Sequence, residues 1–469
     1  MRLPLAVLAG VIALSPASAG EFSAGFGEAD ITHKLGDTPV YMAGFGTNRL
    51  ATGVHDPLTA RAVVLADGPK RIALVSVDLV GFFRENVEAV RKRLPGYEFV
   101  LVSSTHNHEG PDTMGLWGRS PFTSGVDPAY LKQVEAGCVA AVNSADKARV
   151  PATVKVGTAK GPELLHDGRE PYVKHDDIVT LQFLSPASKP VGLLVQWNCH
   201  PETLDSKNTR LTADFVAGTV AHLKAKHACP VAYFTGTVGG LMTSLHVPVN
   251  DVAGKPLDDG TFEKAEAYGV AVGGLADKAI AAGVPATFTP FKIKTDVFLM
   301  PVENTFYRVG KQAGVLKRAM YLLDGATADP ATWAETTDAA KPVGVKTEVS
   351  YLKLGELEVA AIPGEIYPEL VLGKVQDPVD PGADFPTAPV EPAIYPQLKG
   401  KHRMLIGLAN DQLGYFIPKR QWDDNPPYCY GRKKSQYGEI NSVGPDAARL
   451  VCESFARLVS PATPPPPRR

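Results

Sequence analysis

Six near-continuous apolar runs recur along the 469-residue chain: Arg71–Phe82, Phe99–Thr105, Val191–Asn198, Pro230–Thr235, Leu357–Ile362 and Met404–Ala409. Runs this short and this unbroken suit strands covered on both faces, because a sheet wet on one side alternates apolar with polar residues. Between them lie stretches of helical period at Arg84–Leu94, Pro128–Val142 and Ala213–Lys226. The last of these sets Phe215, Val216, Val220 and Leu223 on one face. Strands alternating with helices in this way predict an α/β fold of large mixed β-sheets flanked by helices. No internal repeat of fixed period is visible.

The apolar content is sufficient for such a core: 44% of residues are hydrophobic and 21% charged, ordinary globular usage. Lys and Arg number 48 against 50 Asp and Glu, a formal charge of −2. That balance gives nucleic acid no basic footprint. At the amino end, Met1-Arg2, the apolar run Leu3–Leu14 and Ser15-Pro16-Ala17-Ser18-Ala19 have the three parts of a cleavable secretory signal. The run is shorter than the ~20 apolar residues that span a bilayer. Residues 1–19 are therefore expected to be a signal peptide, with the mature chain secreted or periplasmic. Residues 20–459 are expected to form one catalytic domain, and the Pro-rich 460–469 a disordered tail. Five cysteines, Cys138, Cys199, Cys229, Cys429 and Cys452, allow at most two disulfides, and pairing is expected in an exported chain. No amphipathic basic helix announces itself, so any membrane contact would come through loops.

The chemistry collects where the runs end. Phe99–Thr105 leads into His106-Asn107-His108-Glu109, and Val191–Asn198 into Cys199-His200-Pro201-Glu202. Leu357–Ile362 leads into Pro363-Gly364-Glu365, and Met404–Ala409 into Asn410-Asp411 and then Tyr415. In α/β sheets functional groups gather beyond the carboxyl ends of strands. Residues two apart in an extended segment share a side, so His106 and His108 can reach one centre. Imidazole nitrogen suits zinc, and a catalytic zinc keeps about three protein ligands and an open position. Taken alone, the same histidines equally fit hydrogen-bonded core residues. Asp78, ending another run, fits either a supporting role at such a site or an N-cap for the helix from Arg84.

Longer patterns narrow the choice. Ala29-Asp30-Ile31-Thr32, Met42-Ala43-Gly44-Phe45-Gly46 and Gly53-Val54-His55-Asp56-Pro57-Leu58-Thr59-Ala60-Arg61-Ala62 resemble the opening of the neutral (non-lysosomal) ceramidases. Ser104-Thr105-His106-Asn107-His108-Glu109-Gly110-Pro111 resembles their double-histidine motif. The likeness continues through Trp197-Asn198-Cys199-His200, Pro363-Gly364-Glu365, Gly407-Leu408-Ala409-Asn410, Tyr415 and Tyr437-Gly438-Glu439. The resemblance implies one zinc held by His106, His200, Glu365 and Tyr415. It implies that His108 contacts the reacting carbonyl and that Tyr437 and Arg169 stand beside the substrate. Because Glu365 and Tyr415 flank the Pro-rich stretch 376–396, that stretch is expected to be a loop within the domain.

The resemblance thus implies a secreted zinc amidohydrolase that splits the linear amide of an N-acylsphingosine, a lipid substrate. Three features depart from it. Met242 stands where the family has a serine, Glu109 replaces another serine, and the family's further β-rich carboxyl-terminal domain has no counterpart in the sequence. A zinc hydrolase of a different N-acyl amide or ester is therefore the second reading, and a binding protein without catalysis the third. Without a serine at 242, chemistry is expected to rest on zinc-activated water or on Thr243 or Ser244 nearby.

Overall fold

The computed structural model describes residues 22–460. The signal-peptide expectation and the tail beyond Ser460 lie outside that range. Each apolar run anticipated from sequence is a strand, within a few residues at either end. What the runs do not reveal is their antiparallel partners, and these organise the fold.

One four-strand arrangement occurs three times. In the first, Phe22–Asp30 pairs antiparallel with Thr59–Asp67, which pairs antiparallel with Lys70–Val77. Lys70–Val77 then lies parallel to Phe99–Ser104. The second repeats this order with Thr153–Lys160, Asp177–Leu184, Pro190–Trp197 and Val231–Thr235. The third uses Phe291–Pro301, Val343–Leu354, Leu357–Ala361 and His402–Ile406. A parallel pair needs a crossover, and each crossover here carries helix: Arg84–Lys92, Phe215–His227 and the short Pro368–Leu372. A longer helix follows each unit: Pro128–Lys147, Phe262–Ala281 and Ala447–Val459. Local chemistry starts the first two of these helices. Asp127 accepts from Ala129 N with Pro128 at the first turn, and the Thr261 side chain accepts from Lys264 N.

The inner faces of the three sheets share one apolar core. Phe26, Leu74 and Leu101 of the first meet Leu181, Leu194 and Phe234 of the second and Leu352, Val359 and Ile406 of the third. The ends of the three parallel edge strands are laced together. Gly407 N donates to Thr235 O, Asn410 N to Val102 O, and the Thr235 hydroxyl to Thr105 O. The carboxyl ends of all three units therefore open into one region.

The Pro-rich stretch 376–396 is packed into the domain: Asp384 N donates to Trp422 O, and Asp384 accepts from Asn425. The expectation of disulfides is not met. All five cysteines are free and buried. No helix among the described residues is long and apolar enough to cross a membrane.

Candidate metal centre

His106 lies two residues beyond Phe99–Ser104, at φ +66°, a backbone region costly for a residue with a side chain and recurrent at functional sites. Its Nδ1 is 2.7 Å from Val80 O, so that nitrogen carries the proton. His200, from the second unit, repeats the device with Nδ1 2.8 Å from Met242 O. Both rings consequently aim an Nε2 lone pair at the same atom: Glu365 Oε2 lies 3.2 Å from each. Glu365 belongs to the third unit and is held by Gln412 Nε2 at 2.8 Å on its other oxygen. Tyr415 pairs with Glu365 in a short parallel ladder and brings its hydroxyl 3.4 Å from His200 Nε2.

These separations fit a metal. Tetrahedral ligands at about 2.0–2.2 Å from zinc stand about 3.3–3.6 Å from one another. Two lone pairs facing a carboxylate repel unless a cation or a proton lies between them. Burial pulls the His200 pKa down, but Glu365, Glu202 and the Met242 carbonyl together outweigh it and the net shift is upward. Burial also raises Glu365, yet His106 and His200 hold it well below the usual carboxylate range. The donor set of two imidazoles, a carboxylate and a phenol, with backbone carbonyls fixing each tautomer, suits zinc. His108 closes on the same centre: ring nitrogens of His106, His108 and His200 lie within 4.8 Å of one another.

His106, His108, Glu365, Tyr415 and Tyr437 line one cavity of about 170 Å³, whose far wall is apolar, including Val80, Phe83 and Leu316. His108 is buried, and burial together with His106 and His200 pushes its pKa well below the ordinary value, so the ring is neutral. Its Nδ1 lies 3.2 Å from Glu202 Oε2. Tyr437 stands at the mouth, where its hydroxyl accepts from Asn441 Nδ2 at 2.6 Å. Gly44 (φ +104°) packs so closely that an added Cβ would lie 2.5 Å from the His108 Cβ. Gly44→Ala should therefore displace His108 and lower kcat/KM about a hundredfold without loss of metal, measurable by parallel kinetics and metal analysis.

Arg169 stands next to Tyr437. It does not line the cavity; its guanidinium is spent on Glu439, at 2.6 and 2.8 Å, and on the carbonyls of Tyr437 and Gln421. Asp78 neither caps a helix nor meets a histidine. It accepts from Arg61 Nη1 at 2.7 Å and Thr59 N at 2.9 Å, while Phe83 occupies the helix N-cap with no side-chain bond.

The departures also find places. Glu109 is buried against Arg49 Nη1 at 3.0 Å and Asn208 Nδ2 at 2.7 Å. Arg49 also donates to the carbonyls of Ala43 and His108, fastening the double-histidine loop. Met242 is fully buried in the apolar core and contributes its carbonyl, not its side chain, to the site. Ser244 bonds Thr203 Oγ1 at 2.8 Å, and neither Thr243 nor Ser244 lines the cavity. Sequence reasoning missed the two carbonyl partners, Gln412, Glu202 as the neighbour of His108, and Arg49. Only Glu109 offered a signal, since a charge inside a buried motif requires a counter-ion.

Comparison with known proteins agrees with this architecture. Residues 22–164 match the family described as neutral/alkaline non-lysosomal ceramidase, N-terminal. The fold matches a crystal structure of neutral ceramidase from Pseudomonas aeruginosa at TM-score 0.67 and 16% identity, covering 94% of this chain and 74% of that one. A solved ceramidase complexed with C2 matches at TM-score 0.67 and 14% identity, over 94% of this chain and 75% of its own. By its amino-terminal third and by its fold across nearly the whole chain, this protein resembles the neutral/alkaline non-lysosomal ceramidases.

Proposed function

We propose that this chain is a zinc-dependent hydrolase of a lipid amide, ceramidase-like, releasing a fatty acid and an amine. The observation that carries the reading is the convergence of two imidazole lone pairs on one carboxylate oxygen at the wall of a partly apolar cavity. His106, His200, Glu365 and Tyr415 would hold the ion. Bound there, zinc would polarise the amide carbonyl and lower the pKa of a water towards ~7.

The chain's own residues supply the rest. The apolar wall accepts an acyl chain, which sets the amide carbonyl beside the histidines. His108, neutral, carries one ring proton. With that proton on Nε2, and a second proton on Glu202 lying between its Oε2 and Nδ1, the ring donates a hydrogen bond to the carbonyl oxygen as negative charge develops there. Glu202, its pKa raised by burial, faces the opposite nitrogen. Tyr437 at the mouth offers a second hydroxyl donor from the open side. A thioether at 242 is neither nucleophile nor base, and its burial removes it from the reaction.

Three substitutions separate this scheme from a serine or threonine nucleophile. His108→Ala should lose at least about a hundredfold in kcat, the usual effect of removing an oxyanion donor. Ser244→Ala should keep most activity, as should Thr243→Ala, because neither hydroxyl reaches the cavity. An acyl-enzyme trapped on either hydroxyl would contradict the scheme.

The second reading keeps the site and changes the substrate, to another N-acyl amide or an ester; Met242 and Glu109 favour it. A hydrolysis panel of ceramides, N-acyl amino acids and simple esters on zinc-loaded protein decides between the two. Ceramide turnover well above the others supports the first. From the signal-like residues 1–19 we also propose that the mature protein is secreted or periplasmic.

A further inference from the structure

Large apolar side chains face solvent in grooves beside the cavity. Phe306 and Val309, on the helix Thr305–Gln312, are 69% and 48% exposed, Phe122 is 70% exposed and Ile440 54%. They come from three separate segments, and shared surface grooves join them. Phe122 and Val309 line one groove, Phe306, Ile440 and Tyr437 the next, while Tyr307 and Lys311 of the same helix line the cavity itself. Single exposed apolar residues mean little, but a cluster rimmed by polar groups marks an interaction face.

Charge tells what the face meets. Arg308, Lys311, Lys433 and Lys434 lie along these grooves or, for Lys433, beside them, against Glu303 and Asp424. Arg308 and Lys311 donate only to backbone carbonyls, at Ala339, Ala340, Lys341 and Arg318. Among the described residues, none of the four cations has a carboxylate within ion-pair distance. Cations left uncompensated beside protruding aromatics suit a surface that is anionic outside and apolar a few ångströms within.

We propose that this face docks on an anionic phospholipid bilayer, with Phe122, Phe306, Val309 and Ile440 entering the acyl boundary and the lysines meeting the headgroups. Docked so, the mouth opens directly onto the lipid. The choice of a bilayer over other apolar partners rests in part on the lipid amide reading; the exposure and the charge do not.

Co-sedimentation of the full mature chain with vesicles tests it. Vesicles of phosphatidylcholine mixed equally with phosphatidylglycerol should carry the protein down at low salt, and those of phosphatidylcholine alone should carry far less. The double variant Phe122→Ser/Phe306→Ser should weaken that association at least about tenfold, since each exposed ring loses its burial. Lys433→Glu/Lys434→Glu, which removes no packing, should weaken it as well and flatten the salt dependence. Both variants should hydrolyse a soluble short-chain amide as the parent does, which separates docking from the activity: loss of hydrolysis in the parent would strike the catalytic reading and leave the docking result standing. Parent protein that stays in solution with both vesicle types would overturn the proposal. So would unchanged binding by both variants, or a lipid-free dimer that the serine substitutions abolish.

Discussion

Replacing His106 or His200 by alanine should remove zinc and activity together. Each ring supplies one of two imidazole nitrogens, and each is fixed by a backbone carbonyl that alanine cannot use. Losing an outer hydrogen-bond partner of a metal ligand costs about 10–100-fold in affinity, and losing the ligand itself should cost more. The one remaining imidazole, the carboxylate and the phenol are a poorer zinc site than the full set. Metal analysis after dialysis, with kcat/KM on the same sample, measures both. Full zinc in either variant would show that the ligand set is different, His108 being the obvious replacement given its distance from the others.

The second large effect is expected at Arg169, and it is one of stability. Its guanidinium and the Glu439 carboxylate are both almost wholly buried and bonded in parallel. Arg169→Ala leaves Glu439 without a counter-ion inside the protein, a change that costs about 3–5 kcal/mol in buried pairs. The Tyr437 carbonyl loses a donor at the same time, so the turn carrying that phenol loosens. A shift in the denaturant midpoint with unchanged slope reports the first effect, and a raised KM with zinc content intact reports the second. The double variant Arg169→Met/Glu439→Leu should recover part of the stability, because removing both charges removes the desolvation cost. Loss of zinc in Arg169→Ala would contradict this placement.

The sequence was readable where a segment's burial is uniform. Strands such as Phe99–Ser104 and Pro190–Trp197 are covered on both faces, so their residues are apolar throughout and stand out. The antiparallel partners were not so visible. Phe291–Pro301 carries Lys292, Lys294 and Asp296 on a partly exposed strand, and its pairing with Val343–Leu354 spans a connection that holds the helix Thr305–Gln312 and two short strands. The threefold recurrence of the strand unit is hidden for the same reason. Insertions of unequal length separate the units, and no fixed period survives in the chain.

At the site, the groups that end strands were legible because strand ends collect function. The groups that orient them were not. Val80 and Met242 act through main-chain oxygens, which no side-chain pattern records. Arg49 lies sixty residues from its partner Glu109, and only the fold joins them. The pairing of Arg169 with Glu439 and its bond to the Tyr437 carbonyl were likewise invisible in the sequence.

The central claim is that one zinc sits between His106, His200 and Glu365. Crystals of the zinc-loaded protein, measured at the zinc absorption edge, give an anomalous difference map that tests it directly. The account predicts a single strong peak about 2.0–2.1 Å from Nε2 of both histidines and about 2.0–2.2 Å from Glu365 Oε2, with Tyr415 completing the set. A map with no peak there, or with its peak bound by His108 in place of Glu365, would contradict it.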